Sequence, residues 1–327
     1  MNKNQLMRVL VSGMGGQLGT LIARRLEAVD EVEAIFGYDL DPPRRRLRRA
    51  QFRRIDPSEA SHVADAVRDF DPTAVVHLGL YEPHARLEPN AARAATRLGN
   101  AALVAALAEA PRLESIVVRS GIEVYGRRRG GPIRPDEDVA PMPTTDFGRR
   151  LLEAEAVLVA LGAERDIPVA SLRCASIVGS HTPSPLGRLL KLGVVPVPAL
   201  ADPPFTMLHA EDASVAIVAA LLRKVRGPLN VVAPGAVTAW QATRIGGRIP
   251  LPVLGAGWTA AKVMAELAGA PLPDQVRELL VRGRVADGGR CAEVLGVAPE
   301  RSAHEILTEL FEQSNVVYLS THGVEAA

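Results

Sequence analysis

Cysteine is almost missing from this chain: Cys174 and Cys291 are the only two in 327 residues, and both sit in apolar stretches. Two isolated thiols supply neither a disulfide framework nor a metal-ligand spacing, which suits a reducing compartment. Net charge is nearly missing too, at +1, which argues against a dedicated nucleic-acid binder. Lysine is greatly outnumbered by arginine, a bias of genome composition rather than of function. No apolar run approaches the roughly 20 residues of a membrane helix; ASVAIVAALL covers about half of that. MNKNQLM leads into the first strand pattern without a secretory leader pattern. No His/Cys/Asp cluster has metal spacing, and no GxSxG elbow occurs. The expectation is a soluble cytoplasmic protein without a metal, acting on a small molecule, with no nucleic-acid and no membrane partner.

What is present is apolar residues in quantity, 47% of the chain, enough for a large core. In the first half short apolar runs alternate with helical patterns. MRVLVSG, EVEAIFGYD, TAVVHLG, LESIVVRS and PVASLRCASIVG read as strands. GGQLGTLIARRLEAV, SEASHVADAVRDF, LGNAALVAALAEA and FGRRLLEAEAVLVALGA read as helices. Nearly continuous Val/Ile/Leu runs suit parallel strands buried on both faces. The alternation predicts an α/β fold, a Rossmann-type doubly wound parallel sheet. Beyond residue 180 the chain turns rich in proline and glycine, as in HTPSPLG and VVPVPALADPPF. We therefore expect a dinucleotide-binding domain over 1–175, a smaller and partly interleaved substrate-binding region over 176–315, and a fraying tail over 316–327.

VSGMGGQLG follows the first strand and opens the first helix, with Gly13, Gly16 and Gly19 three residues apart. Such glycines let the backbone turn tightly and approach a pyrophosphate, whose charge a helix N-terminus stabilises. Gly15, Gln17 and Leu18 belong to the same turn. Asp39 lies twenty residues beyond Gly19 at the end of the second strand, where a carboxylate binds ribose hydroxyls and disfavours the extra phosphate of NADP. The run RRRLRR, Arg44 to Arg49, either offers a cation to that phosphate or forms a solvated helix face. The expected cofactor is NAD, with NADP as the alternative.

These segments resemble the extended short-chain dehydrogenase/reductase family, the NAD-dependent epimerases and dehydratases, over nearly the whole chain. SGMGGQLG is similar to TGxxGxxG, VVHLGL to VxHLAA, RSGIEVYG to SSxxVYG, LRCASIVGSH to LRxxNxxGxx, MLHAEDASVAI to FVHVxDVAxA, and ADGGRCAEVLGVAPE to DxxKAxxxLGxxP. The resemblance implies further cofactor contacts at Asp56, Pro57, Leu78, Gly79 and Leu80. It also implies a homodimer built on two helices, one of them carrying residue 147.

The resemblance breaks at the chemistry. In that family a Tyr, assisted by a Lys four residues on, shuttles the proton, and a Ser or Thr polarises the substrate. The corresponding positions here are Phe147, Leu151 and Gly121, with Ser120 displaced by one. Phenylalanine has no proton to donate, and leucine cannot orient a ribose by hydrogen bonding. On the substrate side, Ser176 stands at the family's Asn and Phe205 near its Arg. An apolar pocket lined by Phe205 and Met207 is the expectation, with Tyr81 and His84 facing substrate from a loop and Arg188 as another available cation. Glu123, just before VYG, matches the base of the family's sugar dehydratases, although Ile122 replaces the neighbouring acid. Glu123, Ser120 and Tyr125 are thus the candidate catalytic residues. His77 is expected to pack beneath the cofactor; His181 and His209 receive no role.

Three functions remain open on the sequence. The first is an atypical NAD(P)-dependent oxidoreductase working on a carbonyl or hydroxyl of a small, hydrophobic substrate. The second is a non-catalytic NAD(P)-binding sensor or scaffold. The third is a nucleotide-sugar epimerase or dehydratase similar to UDP-glucose 4-epimerases.

Overall fold

In the computed structural model the described residues are 6–128, 130–179, 181–312, 318–320 and 323–325. Strands are β1 (Met7–Ser12), β2 (Val32–Asp39), β3 (Gln51–Arg54), β4 (Ala74–His77), β5 (Ser115–Gly121), β6 (Val169–Cys174), β7 (Ser176–Val178), β8 (Val194–Pro198), β9 (Met207–His209), β10 (Gly227–Val231), β11 (Ile249–Val253), β12 (Tyr318–Ser320) and β13 (Gly323–Glu325). Helices are α1 (Gln17–Leu26), α2 (Ala60–Phe70), α3 (Pro89–Ala108), α4 (Asp146–Glu164), α5 (Pro185–Leu190), α6 (Ala210–Leu222), α7 (Ala239–Ile245), α8 (Gly257–Leu267), α9 (Asp274–Arg282), α10 (Gly289–Leu295) and α11 (Ala303–Glu312).

Seven parallel strands form the central sheet in the order β10-β6-β5-β4-β1-β2-β3. The chain winds outward from β1 through β2 to β3, returns to β4 on the other side of β1, and winds outward again. This is the doubly wound topology expected from the alternating apolar runs. β4, whose four residues are all buried, illustrates why such runs carry no period-2 signal.

Four local expectations are corrected. PVASLRCASIVG is two strands: after Ala175 donates to Val231 O, the chain leaves the sheet, and β7 pairs with β9 in a separate ribbon. The helix ending in LGNAALVAALAEA starts at Pro89, which sets φ for the first turn. β3 is an additional strand with no sequence signal, because QFRR is a short, largely exposed edge strand without an apolar run. The arginine run is loop rather than helix. It caps α1: Arg49 donates to Leu26 O, Val29 O and Val32 O, while Glu27 accepts from the N–H groups of Arg48, Arg49 and Ala50.

The chain builds two apolar cores. The larger surrounds the central sheet and takes in α6, β10 and α10, all of which lie beyond residue 176. The smaller is assembled from α5, β8, α7, α8, α9 and α11. Of the expected tail, β12 and β13 form a short antiparallel pair, and the rest of that expectation lies outside the described residues.

Candidate active site

The strand order reverses between β1 and β4, and a cleft opens at their C-terminal ends, where open α/β sheets hold ligands. Its floor is the glycine turn. Gly13 has φ +82°, a left-handed conformation in which any side chain is strained, and the position a Cβ would take is 3.2 Å from Leu78. Helix α1 begins there without a side-chain cap and without an acidic residue in its first turn, so its N–H groups and positive end face the cleft uncompensated. Gly13, Gly16, Gln17, Leu18 and Gly19 all line the cleft, as do Leu78 and Leu80 from the segment after β4.

Asp39 stands behind this floor, fully buried, and its carboxylate is already engaged. Arg86 donates to both oxygens at 2.9 and 3.4 Å, Tyr81 Oη donates at 3.3 Å, and Leu40 N donates at 2.7 Å. Arg86 also pairs with Asp41 at 2.8 Å, holding that carboxyl below its usual range. The loop carrying Arg86 thereby lies across the turn, with its Nη1 3.3 Å from the Cβ position of Gly16. Tyr81, expected to face substrate, spends its hydroxyl on Asp39, and burial beside that charge raises its pKa.

On the far wall two charged residues line the cleft that sequence reasoning passed over, Glu82 and Arg119. Glu82 follows directly on Tyr81, whose N–H is tied to Thr96 on α3. Its carboxyl accepts from Gln275 Nε2 of α9 at 3.3 Å. Burial pushes its pKa up to about 7; Arg119 and Arg284 oppose the rise, and the nearby Glu123 charge adds to it. Arg119, from the middle of β5, donates to Leu80 O at 3.4 Å. A signal for it was legible: an arginine inside the apolar run SIVVRS has to serve a polar purpose where it emerges.

A match to the family model described as NAD dependent epimerase/dehydratase family covers residues 9–231. An uncharacterized protein of Mycobacterium tuberculosis (strain ATCC 25618 / H37Rv) is 30% identical over 312 residues, 93% of this chain and 83% of the relative. The chain belongs to the NAD dependent epimerase/dehydratase family. Among solved structures it is similar to a UDP-glucose 4-epimerase of Thermotoga maritima with UDP-glucose (TM-score 0.72, 18% identity, 94% of this chain and 98% of that one). It is also similar to a UDP-glucuronic acid 4-epimerase of Bacillus cereus in complex with UDP-glucuronic acid and NAD (TM-score 0.72, 17% identity, 94% and 98%). At these identities the structural likeness is one of fold.

Within this epimerase/dehydratase fold, Phe147 and Leu151 are one turn apart on α4 and sealed in the larger core, 4% and 0% exposed. Leu151 and Glu123 together fill the space beside Gly121: a Cβ there would lie 2.2 Å from Glu123 Oε2 and 3.0 Å from Leu151 Cδ1. A glutamate carboxylate thus occupies the volume that a serine or threonine side chain at position 121 would take. Glu123 is buried and accepts from Arg284 Nη1 at 3.2 Å, and Arg284 Nη2 donates to Glu278 of α9 at 2.8 Å. That ladder ties the turn after β5 to α9 of the smaller core.

Neither Glu123, Ser120 nor Tyr125 is among the residues lining the cleft. Ser120 is fully buried, and its Oγ has no hydrogen-bond partner among the described residues. Tyr125 donates to Asn230 Oδ1 at 2.8 Å and accepts from Arg173 Nη1 at 3.0 Å, and Arg173 forms a buried fork with Glu155 at 2.8 Å. His77 is buried, shares a 2.6 Å hydrogen bond between Nδ1 and Ser12 Oγ, and has its pKa lowered to about 4 by burial, so it is neutral.

The remaining candidates disperse. Asp56 accepts from the N–H and hydroxyl of Ser58, closing a turn, and Pro57 packs against Gly99 of α3. Gly79 lies over His77, 3.0 Å from its Cε1 to the Cβ position. Phe205 and Met207 do not line an open apolar pocket. Both are 0% exposed in the smaller core, because Phe205 pairs through its backbone with Val237 and Arg284 and is enclosed on every side. Ser176 opens β7 and is half-buried. Arg188 keeps two buried guanidinium nitrogens, Nε and Nη2, without partners among the described residues.

Proposed function

We propose that this chain is an atypical NAD(P)-dependent oxidoreductase acting on a carbonyl or hydroxyl of a small substrate without a Tyr–Lys relay. One observation carries the reading: the uncapped N-terminus of α1 and the left-handed Gly13 open onto the same cleft as the polar wall of Glu82 and Arg119, while Phe147 and Leu151 are closed off in the core. The pyrophosphate end fits a dinucleotide, because backbone donors and the helix dipole converge where a side chain would intrude. Gly13, Gly16, Gln17 and Leu18 would hold that end. At the adenosine end Asp39 serves a ribose only when Arg86 turns away from it, and a freed Arg86 is then a cation beside the phosphates. A bound nicotinamide would supply or accept the hydride.

Glu123 has a positioning role in this reading. It holds Arg284, and through it Glu278, so that α9 brings Gln275 to Glu82. Tyr125 anchors β5 to β6 and β10. A homodimer through the exposed faces of α3 and α4 is part of the same proposal, supported by the apolar groove between them that includes Val104 and Val157.

The test is calorimetric titration of the full chain with NADH and NADPH at fixed salt. Micromolar affinity for one of them is the expected result. Binding of neither overturns the reading, and with it the NAD(P)-binding scaffold alternative, and leaves the glycine turn as architecture.

A further inference from the structure

The described residues lining the cleft include four with ionisable side chains: Tyr81, Glu82, Arg86 and Arg119. Tyr81 is committed to Asp39 and holds its proton more tightly than a free phenol. Arginine stays protonated in proteins. That leaves Glu82 as the one group among them able to give up and recover a proton near neutrality.

Its surroundings are built for that. Glu82 is half-buried on the cleft wall, and it differs from three buried carboxylates that have cations: Glu155 has Arg173, Glu123 has Arg284, and Asp39 has Arg86. Glu82 accepts only a neutral amide, Gln275, among the described residues, and no guanidinium there forms an ion pair with it. The charged groups that face it are Arg119 from β5, Glu123 from the turn after β5, and Arg284 beyond α9, whose own hydrogen bonds go to Glu123, Glu278 and Gln275 O. Arg119 likewise has a single weak hydrogen bond, to a main-chain oxygen. A carboxyl without a counter-ion and a guanidinium without a carboxylate therefore share one wall of the cleft.

We propose that Glu82 is the catalytic acid–base of this cleft and that Arg119 holds the substrate oxygen beside it. The proposal rests on the oxidoreductase reading above and names its substrate class as an aldehyde or ketone and the corresponding alcohol. In the reducing direction the carbonyl carbon accepts a hydride from a reduced nicotinamide dinucleotide. The carbonyl oxygen takes the proton from the Glu82 carboxyl. The O–H bond of the acid breaks, that of the alcohol forms, and water returns a proton to the carboxylate. In the oxidising direction the same carboxylate takes the proton. Burial and the Glu123 charge keep the acid protonated up to the pH at which it must act, which is the condition general acid catalysis sets.

The experiment compares wild type, Glu82→Gln and Glu82→Asp as full chains. Glutamate labelled with 13C at the carboxyl is titrated by NMR, NADH and NADPH affinities are measured by calorimetry, and a panel of aldehydes and ketones is assayed for dinucleotide oxidation. A carboxyl resonance titrating near pH 7 in wild type and missing in Glu82→Gln is expected. So is dinucleotide affinity within about twofold of wild type and a turnover loss of roughly 10²–10⁴-fold. Glu82→Asp should restore part of the turnover with a shifted pH profile. Unchanged turnover in Glu82→Gln, or no carboxyl titrating near neutrality, overturns the assignment of Glu82 while leaving the oxidoreductase reading intact. Dinucleotide binding with no turnover of any carbonyl by wild type overturns both, and then a titrating Glu82 is only a weak acid on the cleft wall.

Discussion

Two polar clusters flank strand β5, and they are built on opposite rules. On the side of β6 and β10, Arg173, Glu155, Tyr125 and Asn230 form a closed network. The fork between Arg173 and Glu155 is matched charge for charge, Tyr125 both donates and accepts, and the Asn230 side chain reaches Pro135 O and Asp287 O. On the side of β4, Glu82 and Arg119 share a wall without pairing. A satisfied buried network fixes geometry; an unsatisfied one keeps a proton or a charge available. The difference teaches that burial of a carboxylate says little about its role until its counter-ion is known.

The largest expected effect tests the closed network. Glu155→Ala leaves Arg173 buried and unmatched, and should lower unfolding stability by about 3–5 kcal/mol in denaturant titration. A loss under about 1 kcal/mol would mean that water reaches Arg173, and the contrast with the cleft would collapse. Next comes Gly121→Ser, which places a hydroxymethyl in the volume of the Glu123 carboxylate and Leu151. A loss of about 1–3 kcal/mol is expected, with no gain in turnover, because the clash displaces Glu123 from Arg284.

The pH dependence of stability separates the buried His77 and the half-buried Glu82 by sign. His77 has its pKa depressed from 6.5 to about 4, so the unfolded chain binds the proton more readily. Its contribution is complete above pH 6.5 and is lost as pH falls toward 4, by roughly 3 kcal/mol at most. Glu82 has its pKa raised from 4.5 to about 7, so its contribution is complete below pH 4.5 and is lost as pH rises through 7. Thermal unfolding of wild type, His77→Asn and Glu82→Gln across pH 4–8 should show one slope removed by each variant, in opposite directions. If Glu82→Gln leaves the slope unchanged, its carboxyl is hydrated and the open cluster is not open in the sense argued. The smallest effect is at Arg86. Arg86→Ala frees Asp39, and calorimetry should show NADH binding several-fold more tightly; weaker binding would mean that Arg86 serves the phosphates more than it obstructs the ribose.

Much of the scaffold was readable in advance. GMGGQLG after an apolar run located the turn at the switch point, because glycine spacing and strand–helix context are local properties. Residues that emerge from strands were readable in kind but not in role. Arg119 in SIVVRS, Arg173 in SLRC and Asn230 in PLNV are all polar residues in buried strands, yet Arg119 turns toward the cleft and the other two toward each other's network. The proline-rich neighbours of Phe205 and Met207 suit a pocket wall and a small, irregular core equally, and the sequence pattern does not separate the two. The spacing of Asp39 from the glycines does not show that its carboxylate is engaged, because its partner lies 47 residues away.

By itself, the sequence determined the doubly wound sheet, the glycine turn and the absence of a tyrosine and lysine at residues 147 and 151, since each depends on periodicity, spacing or identity along the chain. Only the tertiary structure decided which charges meet. Arg86 reaches Asp39 across the turn, Arg284 comes from 161 residues away to Glu123, and Gln275 comes from 193 residues away to Glu82 without bringing a counter-ion. A carboxyl's readiness to hold a proton is set by the solvent and charge around it, and those neighbours come from segments far apart along the chain.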